Sequence, residues 1–329
     1  MSKITIIGAG AWGTTLAILL AQNDHEITLW SYETEVIENI KKFKENKKYL
    51  PGFMLHQNIS AEEDLKMAAK SSQTIIYSTP TQFMRKTVKE SIGSFDGEII
   101  MSAVKGIEVS TLKFPSEIIS EFTKKPVAAL SGPNLAKEIA KGLPATSVIA
   151  SKDEKTSKEL QTLFKKCQTF RIYTSDDLLG VQIGGALKNI IAIAAGASEE
   201  KQLGDNAKAA LIIRGISEIT KLGIALGAKR ETFSGLSGLG DLIATCQSGL
   251  SRNHSVGVKL AKGEKLSSIL SSLKQVAEGV ETTKAAIKLA QKYKVEMPIT
   301  YEINEILFNN KRIDEALLSL MTRPHKNED

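Results

Sequence analysis

The feature that most constrains the fold is a glycine-rich turn near the start of the chain, Gly8-Ala9-Gly10-Ala11-Trp12-Gly13. It follows a run of β-branched residues, Ile4–Ile7, and precedes an alanine- and leucine-rich segment that is predicted to be a helix to about Gln22. A second predicted strand, Ile27–Trp30, completes a βαβ unit. Such glycines let the turn tighten and let a pyrophosphate approach the N–H groups at the helix N-terminus. The pattern therefore predicts a dinucleotide site with Gly8, Gly10 and Gly13 in its cradle.

The residues after the second predicted strand bear on the choice between NAD and NADP. They read Ser31-Tyr32-Glu33, and no basic residue follows until Lys41. A site for NAD expects an acid near the end of this strand, whereas a site for NADP expects an arginine. Glu33 lies one or two residues late for gripping the ribose and equally suits the first turn of a helix. The missing arginine favours NAD without excluding NADP.

Strand and helix patterns alternate through the first half of the chain. Further strands are predicted at Thr74–Tyr77, Glu98–Ala103 and Val127–Leu130. This alternation predicts an α/β domain with a doubly wound, Rossmann-type parallel sheet. Ligands in such sheets bind beyond the carboxyl ends of the strands, where Lys105 and the turn Gly132–Asn134 are expected. Both are candidate ligand contacts; the alternatives are plain loop surface and an ordinary turn.

The longest apolar segment, Leu178–Ser198, contains a single charge, Lys188. Its length would allow a membrane span, but a lysine at the centre of such a span costs about 2.5 to 3.5 kcal/mol. Since glycines also interrupt the segment and acids bound it, we predict a buried core helix. A buried ammonium must be snorkelled, paired or held with a lowered pKa. Lys188 is therefore the first catalytic candidate, with plain ion pairing as the alternative, and its neighbour Asn189 is the first candidate substrate contact.

After about Asp177 the strand signals end, and long helical patterns predict an all-α second domain. The expected division is a dinucleotide-binding domain over 1–177 and a helical catalytic domain over 178–329. Asp241 and Thr245 are four residues apart on one predicted helix face. The carboxylate of Asp241 could pair with Lys188; the alternative is a helix N-cap. The tripeptide Ser251-Arg252-Asn253 offers a hydroxyl, a guanidinium group and an amide, which together suit the oxygens of a phosphate. Taken alone, it is also an ordinary loop sequence.

Composition narrows the classes of partner. The 329 residues fit two domains, and the net charge of +6 comes from lysines scattered among acids. The sequence has no Arg-rich run or aromatic platform for nucleic acid, so a phosphorylated small molecule is the expected partner, without nucleic acid or membrane insertion. Two cysteines, Cys167 and Cys246, predict reduced thiols in a cytoplasm, and no metal-ligand spacing is visible. The polar tail, Thr322–Asp329, is expected to fray.

These segments together resemble the bacterial glycerol-3-phosphate dehydrogenases that use NAD or NADP. The motifs run in order through nearly the whole chain: GAGAWGT, KYLPG (Lys48–Gly52), VKGIE (Val104–Glu108), SGPNLAKE, GGALKNIIAIAAG, GDNAKAALIIRG, GLSGLGDLIATC, SRN, VAEG and VEMPI. The resemblance implies reversible hydride transfer that reduces dihydroxyacetone phosphate to sn-glycerol 3-phosphate, a phospholipid precursor. It also implies a homodimer.

The resemblance further implies the roles of individual residues. Lys188 is the acid/base on the C2 oxygen, and Asp241 and Thr245 hold it. The implied substrate contacts are Lys105, Gly132, Asn134, Asn189, Asp241, Ser251, Arg252 and Asn253. The implied cofactor contacts, beside the glycines, are Ala11, Trp12, Tyr32, Lys105, Ala136, Arg252, Val276 and Glu278.

Two residues depart from the family pattern. Many members carry arginine or histidine where this chain has Tyr32, so a preference for NADP is not inherited. Asn134 stands where serine or threonine is common. Two other functions stay open: a related two-domain reductase of the opine, ketopantoate or hydroxyacyl type, and a non-catalytic dinucleotide sensor. The phosphate set around Arg252 disfavours the first, and the grouping of Lys188 with Asp241 and Thr245 disfavours the second.

Overall fold

A computed structural model describes residues 1–70, 72–273, 275–325 and 327. Within them, eight strands form one sheet in the order β3-β2-β1-β4-β5-β6-β7-β8. The strands are β1 (Lys3–Ile7), β2 (Glu26–Trp30), β3 (Ile59–Glu62), β4 (Thr74–Tyr77), β5 (Ile99–Ser102), β6 (Val127–Ser131), β7 (Ala145–Ser151) and β8 (Phe170–Ser175). Neighbouring strands pair in parallel, except that β6 and β7 are antiparallel.

Helices cover both faces of this sheet. They are α1 (Ala11–Ala21), α2 (Thr34–Phe43), α3 (Leu65–Ala69), α4 (Thr81–Ser91), α5 (Pro115–Ser120), α6 (Ala136–Ala140) and α7 (Glu154–Thr162). Successive strand residues point to opposite faces, so Ile6 packs in the core that contains α1, whereas Ile7 packs in the core that contains α4. Burial on both faces explains why the central strands read as continuous apolar runs.

The predicted α/β fold is confirmed, with two corrections in detail. Five strands coincide with the predicted ones to within a residue or two, but β3, β7 and β8 were not predicted. The strand β3 is a short edge strand with half its residues only partly buried, and β8 alternates buried with exposed residues at the other edge. The sheet is also not wholly parallel, because β7 runs against β6.

The second half of the chain is helical, as predicted. Its helices are α8 (Leu178–Glu200), α9 (Gly204–Ala225), α10 (Asp241–Gln247), α11 (Arg252–Ala261), α12 (Leu266–Ser272), α13 (Glu278–Tyr293), α14 (Pro298–Phe308) and α15 (Ile313–Met321). A five-residue π-helical turn, Leu236–Gly240, leads directly into α10. The tail 322–329, predicted to fray, falls partly on Lys326, Glu328 and Asp329, which lie outside the described residues.

Helix α8 is the core of this helical half. Among the described helices it alone is long and apolar enough to cross a membrane, with a mean hydropathy of 1.6, yet 89% of that window is buried in the protein. Its glycines allow close neighbours: a Cβ on Gly196 would lie 2.0 Å from the carbonyl oxygen of His254 in α11. Conversely, a Cβ on Gly257 of α11 would lie 1.9 Å from the carbonyl oxygen of Ile193. The prediction of a buried core helix is therefore confirmed.

Candidate active site

Lys188 lies in α8 and is only 6% exposed. Its Nζ lies 2.5 Å from Asp241 Oδ1 and 2.6 Å from Thr245 Oγ1. The Thr245 hydroxyl in turn donates to the main-chain oxygen of Asp241, at 2.6 Å, one helical turn back in α10. The predicted pairing of Lys188 with Asp241, and the shared helix face of Asp241 and Thr245, are both present. The alternative that Asp241 is an N-cap is wrong, because α10 begins at Asp241 itself and Gly240 is the capping residue.

A second lysine completes this cluster. Lys105 Nζ donates to Asp241 Oδ2 and to the carbonyl oxygen of Gly132, each at 2.7 Å. Burial lowers the pKa of Lys105 to about 8, and the charge of Lys188 acts in the same direction while Asp241 opposes it. The carboxylate of Asp241, 1% exposed, therefore bridges two ammonium groups that come from different halves of the chain. We call Lys105, Lys188, Asp241 and Thr245 the lysine cluster.

The fold explains why these residues meet. Lys105 follows β5 and Gly132 follows β6, so both lie at the carboxyl ends of adjacent strands, as predicted. Helix α8 crosses that edge, and a Cβ on Gly185 would lie 2.4 Å from Ser131 Oγ and 3.4 Å from Lys105 Cγ. A Cβ on Gly184 would lie 2.4 Å from the carbonyl oxygen of Ser237, which precedes α10. The adjacent glycines let one helix touch the sheet and the π-helical turn at once.

The remaining predicted substrate contacts have structural partners of their own. Ser251 caps α11, since its Oγ accepts the N–H of His254 at 3.2 Å. The Oδ1 of Asn253 accepts the N–H of Gly279 at 2.9 Å. Asn189 is 6% exposed, and its carbonyl oxygen lies 2.7 Å from a Cβ built on Gly279. The first turns of α11 and α13 therefore pack beside the turn of α8 that holds Lys188.

The exposed Arg252 begins α11, and its Nη1 donates to the carbonyl oxygen of Val276 at 2.8 Å. Val276 is 41% exposed. On the sheet side, Asn134 Oδ1 accepts the hydroxyl of Ser147, while its buried Nδ2 has no hydrogen-bond partner among the described residues. Since an unpaired buried amide is costly, this nitrogen is suited to a ligand oxygen.

The glycine turn has the geometry that a dinucleotide requires. Gly8 has φ +120°, and a Cβ there would lie 2.7 Å from the main-chain carbon of Ser78. A Cβ on Gly13 would lie 1.9 Å from the carbonyl oxygen of Gly8, so this glycine lets α1 pack on the turn. A Cβ on Gly10 would face open space instead, and α1 starts at Ala11 without a side-chain cap from the described residues. The first N–H groups of α1 are thus left for an anion.

The other predicted cofactor contacts differ in how they are placed: some pack in the protein, and one lies at the surface. Trp12 packs edge-on against Phe170, with ring centroids 6.4 Å apart, and Ala136 accepts the hydroxyl of Thr15 at 3.2 Å. Tyr32 follows β2 and is 77% exposed. Glu278, at the start of α13, accepts the N–H of Thr81 at 2.9 Å across the two halves, and burial raises the pKa of Glu278. The structure brings Glu278 to the sheet edge but leaves Tyr32 at the surface.

Sequence reasoning missed two hydroxyls at this edge. Thr79 and Thr81 follow β4 and are 7% and 0% exposed, and the structure gives neither Oγ1 a partner among the residues it describes. The rule that selected Lys105, position at the carboxyl end of a parallel strand, applies equally to them. Sequence reasoning also missed Glu108, which holds the loop after β5 through a bidentate contact with Arg85 at 2.8 to 3.1 Å.

The glycine cradle and the lysine cluster lie at the same edge of the sheet, beyond the carboxyl ends of parallel strands. A cradle with free helix N–H groups beside a buried lysine–carboxylate–hydroxyl cluster defines a nicotinamide-dinucleotide-dependent dehydrogenase of the two-domain class. Family models described as "NAD-dependent glycerol-3-phosphate dehydrogenase N-terminus" and "C-terminus" match residues 3–157 and 177–318. The chain therefore belongs to the glycerol-3-phosphate dehydrogenases, oxidoreductases that use NAD or NADP.

Individual relatives agree with this assignment. The chain is 45% identical to a glycerol-3-phosphate dehydrogenase [NAD(P)+] of Citrifermentans bemidjiense over 99% of this chain and 98% of the relative. A Bacillus velezensis enzyme of the same name is also 45% identical, over 100% and 97%. The solved glycerol-3-phosphate dehydrogenase of Coxiella burnetii superposes with a TM-score of 0.94 at 35% identity, covering 98% of this chain and 99% of its own.

A more distant solved structure bears on the alternative functions. A ketopantoate reductase of Ralstonia eutropha superposes with a TM-score of 0.61 at 14% identity, over 96% of this chain and 99% of its own. At this identity the likeness shows a shared fold alone. The fold therefore does not separate these reductases, whereas the family models and the relatives do.

Proposed function

We propose that this chain catalyses reversible hydride transfer between NAD(H) or NADP(H) and C2 of a three-carbon phosphate ester, reducing dihydroxyacetone phosphate to sn-glycerol 3-phosphate. The observation that carries the proposal is the lysine cluster, in which Asp241 and Thr245 hold the Nζ of Lys188 at 2.5 and 2.6 Å. The cofactor, when bound, supplies or accepts the hydride. Consistent with the family, the product serves phospholipid synthesis.

Lys188 is the general acid and base of this proposal. When hydride reaches C2, negative charge develops on the carbonyl oxygen, and the ammonium of Lys188 neutralises it and donates a proton. General acid catalysis of this kind is worth roughly a hundred- to ten-thousand-fold. Asp241 and Thr245 occupy two of the ammonium's three N–H groups, so the third is left for the substrate oxygen.

Binding of the phosphate ester is assigned to residues around that cluster. Arg252 is exposed at the start of α11 and offers the guanidinium fork that suits a phosphate. Fixing this remote group supplies binding energy for positioning C2. The other proposed contacts are Lys105, Gly132, Asn134, Asn189, Asp241, Ser251 and Asn253.

The dinucleotide is assigned to the glycine cradle and the residues facing it. Its pyrophosphate would lie on the N–H groups at the start of α1, and the proposed contacts are Gly8, Gly10, Ala11, Trp12, Gly13, Tyr32, Lys105, Ala136, Arg252, Val276 and Glu278. We place the division between the dinucleotide-binding and catalytic domains at 1–177 and 178–329. A cytoplasmic homodimer completes the proposal.

The reaction is tested by following absorbance of the reduced nicotinamide with dihydroxyacetone phosphate as acceptor. Parallel assays use NADH and NADPH, with ketopantoate and pyruvate plus an amino acid as alternative acceptors. The proposal expects oxidation with dihydroxyacetone phosphate at least a hundredfold faster than with the alternatives. Oxidation with another acceptor alone would make the chain a different reductase, and cofactor binding without oxidation by any acceptor would make it a sensor.

A further inference from the structure

A short loop after α2, residues 46–52, is fastened to the glycine cradle. The fully buried Asn46 donates through Nδ2 to the carbonyl oxygen of Ala9, at 2.7 Å, and to Thr14 Oγ1, at 2.8 Å. Its Oδ1 accepts the N–H of Tyr49 at 3.2 Å. The loop is therefore held against the turn on which the dinucleotide is proposed to lie, and Lys48 and Tyr49 are placed by that attachment.

Lys48 and Tyr49 both reach the carboxylate of Glu33. The hydroxyl of Tyr49 donates to Glu33 Oε2 at 2.6 Å, and the ammonium of Lys48 pairs with Oε1. Glu33 is the N-cap residue of α2, and its side chain is only 14% exposed. We call Glu33, Lys48 and Tyr49 the β2 clamp, since Glu33 stands three residues beyond the end of β2.

The position of the β2 clamp in the fold is the one at which the adenosine ribose of a dinucleotide is expected to bind. Glu33 stands 20 residues after Gly13, the last glycine of the cradle. At about this spacing, beside the end of the second strand, an acid in this fold class meets the 2′-hydroxyl of NAD, whereas a free arginine meets the 2′-phosphate of NADP. Glu33 was expected to lie too late for this contact, but the loop turns its carboxylate inward and fixes both of its oxygens.

The charges around the clamp discriminate between the two cofactors. The ammonium of Lys48 is matched by Glu33 and also lies 3.7 Å from Glu35 Oε2. A further carboxylate, Glu63, accepts the hydroxyl of Thr34 at 2.7 Å at the start of α2. Two carboxylates therefore share the single ammonium of Lys48, and a third lies nearby at the start of α2, which is unfavourable for a phosphate dianion. A carboxylate has about four lone-pair sites, so Glu33 can accept from a ribose hydroxyl while it holds Lys48 and Tyr49.

We propose that Glu33, oriented by Lys48 and Tyr49, selects NAD over NADP by accepting the 2′-hydroxyl of the adenosine ribose and repelling a 2′-phosphate. Lys48 in this arrangement orients the acid and is not free to bind phosphate. The inference rests on the proposed function, because it concerns the same cofactor site. The selection is assigned to the β2 clamp, and the exposed Tyr32 has no part in it.

The test replaces the acid and measures binding directly. Dissociation constants of NADH and NADPH are measured by cofactor fluorescence on the full-length chain and on Glu33→Gln. The wild-type chain should bind NADH at least tenfold more tightly than NADPH. The variant should lower this ratio at least tenfold, since it removes the repelling charge and frees Lys48. The matched control is Glu38→Gln, which removes the same charge from an exposed position on α2 and should leave the ratio unchanged.

A second variant separates charge from folding. Adding Lys48→Met to Glu33→Gln should remove the gained affinity for NADPH and leave NADH binding nearly as in the single variant. Equal ratios in the wild-type chain, Glu33→Gln and Glu38→Gln would overturn the inference even if dihydroxyacetone phosphate is reduced normally. A shifted binding ratio without reduction of that substrate would support the inference and contradict the proposed reaction instead.

Discussion

Asp241 illustrates how single residues constrain the proposed chemistry. Its carboxylate is almost fully buried and gives one oxygen to Lys188 and the other to Lys105. Buried charges are tolerated only when they are paired and hydrogen-bonded, so each of the three ionic groups depends on the other two. The arrangement leaves Lys188 little freedom to move, which is what a proton donor aimed at one substrate oxygen requires.

Replacement of Asp241 by asparagine tests this dependence. We expect Asp241→Asn to lose about 3 to 5 kcal/mol of unfolding free energy, because two ammonium groups then lie beside a neutral amide. The control is Asp176→Asn, which breaks an exposed pair with Lys229 and should cost within about 1 kcal/mol. Denaturant unfolding measures both. Losses of similar size in the two variants would show that Asp241 does not hold the cluster together.

Some individual residues of the candidate site could be predicted from the sequence, and others could not. Lys188 stood out because a single charge in an apolar run requires a partner, and Asp241 and Thr245 because four-residue spacing places them on one helix face. The contact of Glu278 with Thr81 joins residues 197 positions apart, and that of Lys48 with Glu33 depends on how a loop is docked. No local spacing carries such contacts, so only the three-dimensional structure reveals them.

At the scale of elements, helix α8 decides where the two halves of the site meet. Its length and apolar character were predictable from the sequence, because Leu178–Ser198 is the longest apolar segment of the chain and contains a single charge, Lys188. The strands β3, β7 and β8 were not, since they are short or lie toward an edge and lack a strong apolar run. One of the unpredicted strands reaches the candidate site, because Ser147 of β7 donates its hydroxyl to Asn134. This contact could not be foreseen from the predicted strands.

The close approach of α8 to the sheet is tested at Gly185. We expect Gly185→Ala to lower turnover at least tenfold and to destabilise the protein by about 1 to 3 kcal/mol, because the added methyl group would overlap Ser131 Oγ. The control is Gly93→Ala, where an added Cβ has open space. Initial rates and thermal unfolding are measured for both variants. Unchanged rates in Gly185→Ala would mean that α8 does not need this approach.

At the scale of the whole molecule, buried polar contacts join segments that are distant in sequence. Gln182 of α8 accepts the N–H of Ser116 at 2.9 Å and donates to its hydroxyl at 2.8 Å, which fastens the helical half to α5. Glu218 of α9 accepts the N–H groups of Ile299 and Thr300, at 2.6 and 3.1 Å, at the start of α14. These contacts satisfy polar groups that burial would otherwise leave unpaired.

Glu218 gives the stability of the molecule a dependence on pH. Burial raises the pKa of Glu218 to about 7, although its hydrogen bonds act to lower it. The folded state therefore binds this proton more tightly than the unfolded state, so the contribution to stability is present at low pH and is lost as pH rises toward 7. We expect the unfolding free energy of the wild-type chain, relative to Glu218→Gln, to fall between pH 5 and about 7. A difference that is independent of pH in denaturant unfolding would contradict this.

The central claim is that Lys188 is the proton donor of a dehydrogenase and that Lys188 itself does not bind the cofactor. The most direct measurement is reduction of dihydroxyacetone phosphate by Lys188→Met, made beside its affinity for the reduced cofactor. The control is Lys221→Met, an exposed lysine on α9. We predict that Lys188→Met binds the cofactor normally and loses at least a hundredfold in kcat, as expected for loss of general acid catalysis, while the control keeps full activity. Near-normal turnover in Lys188→Met would contradict the account.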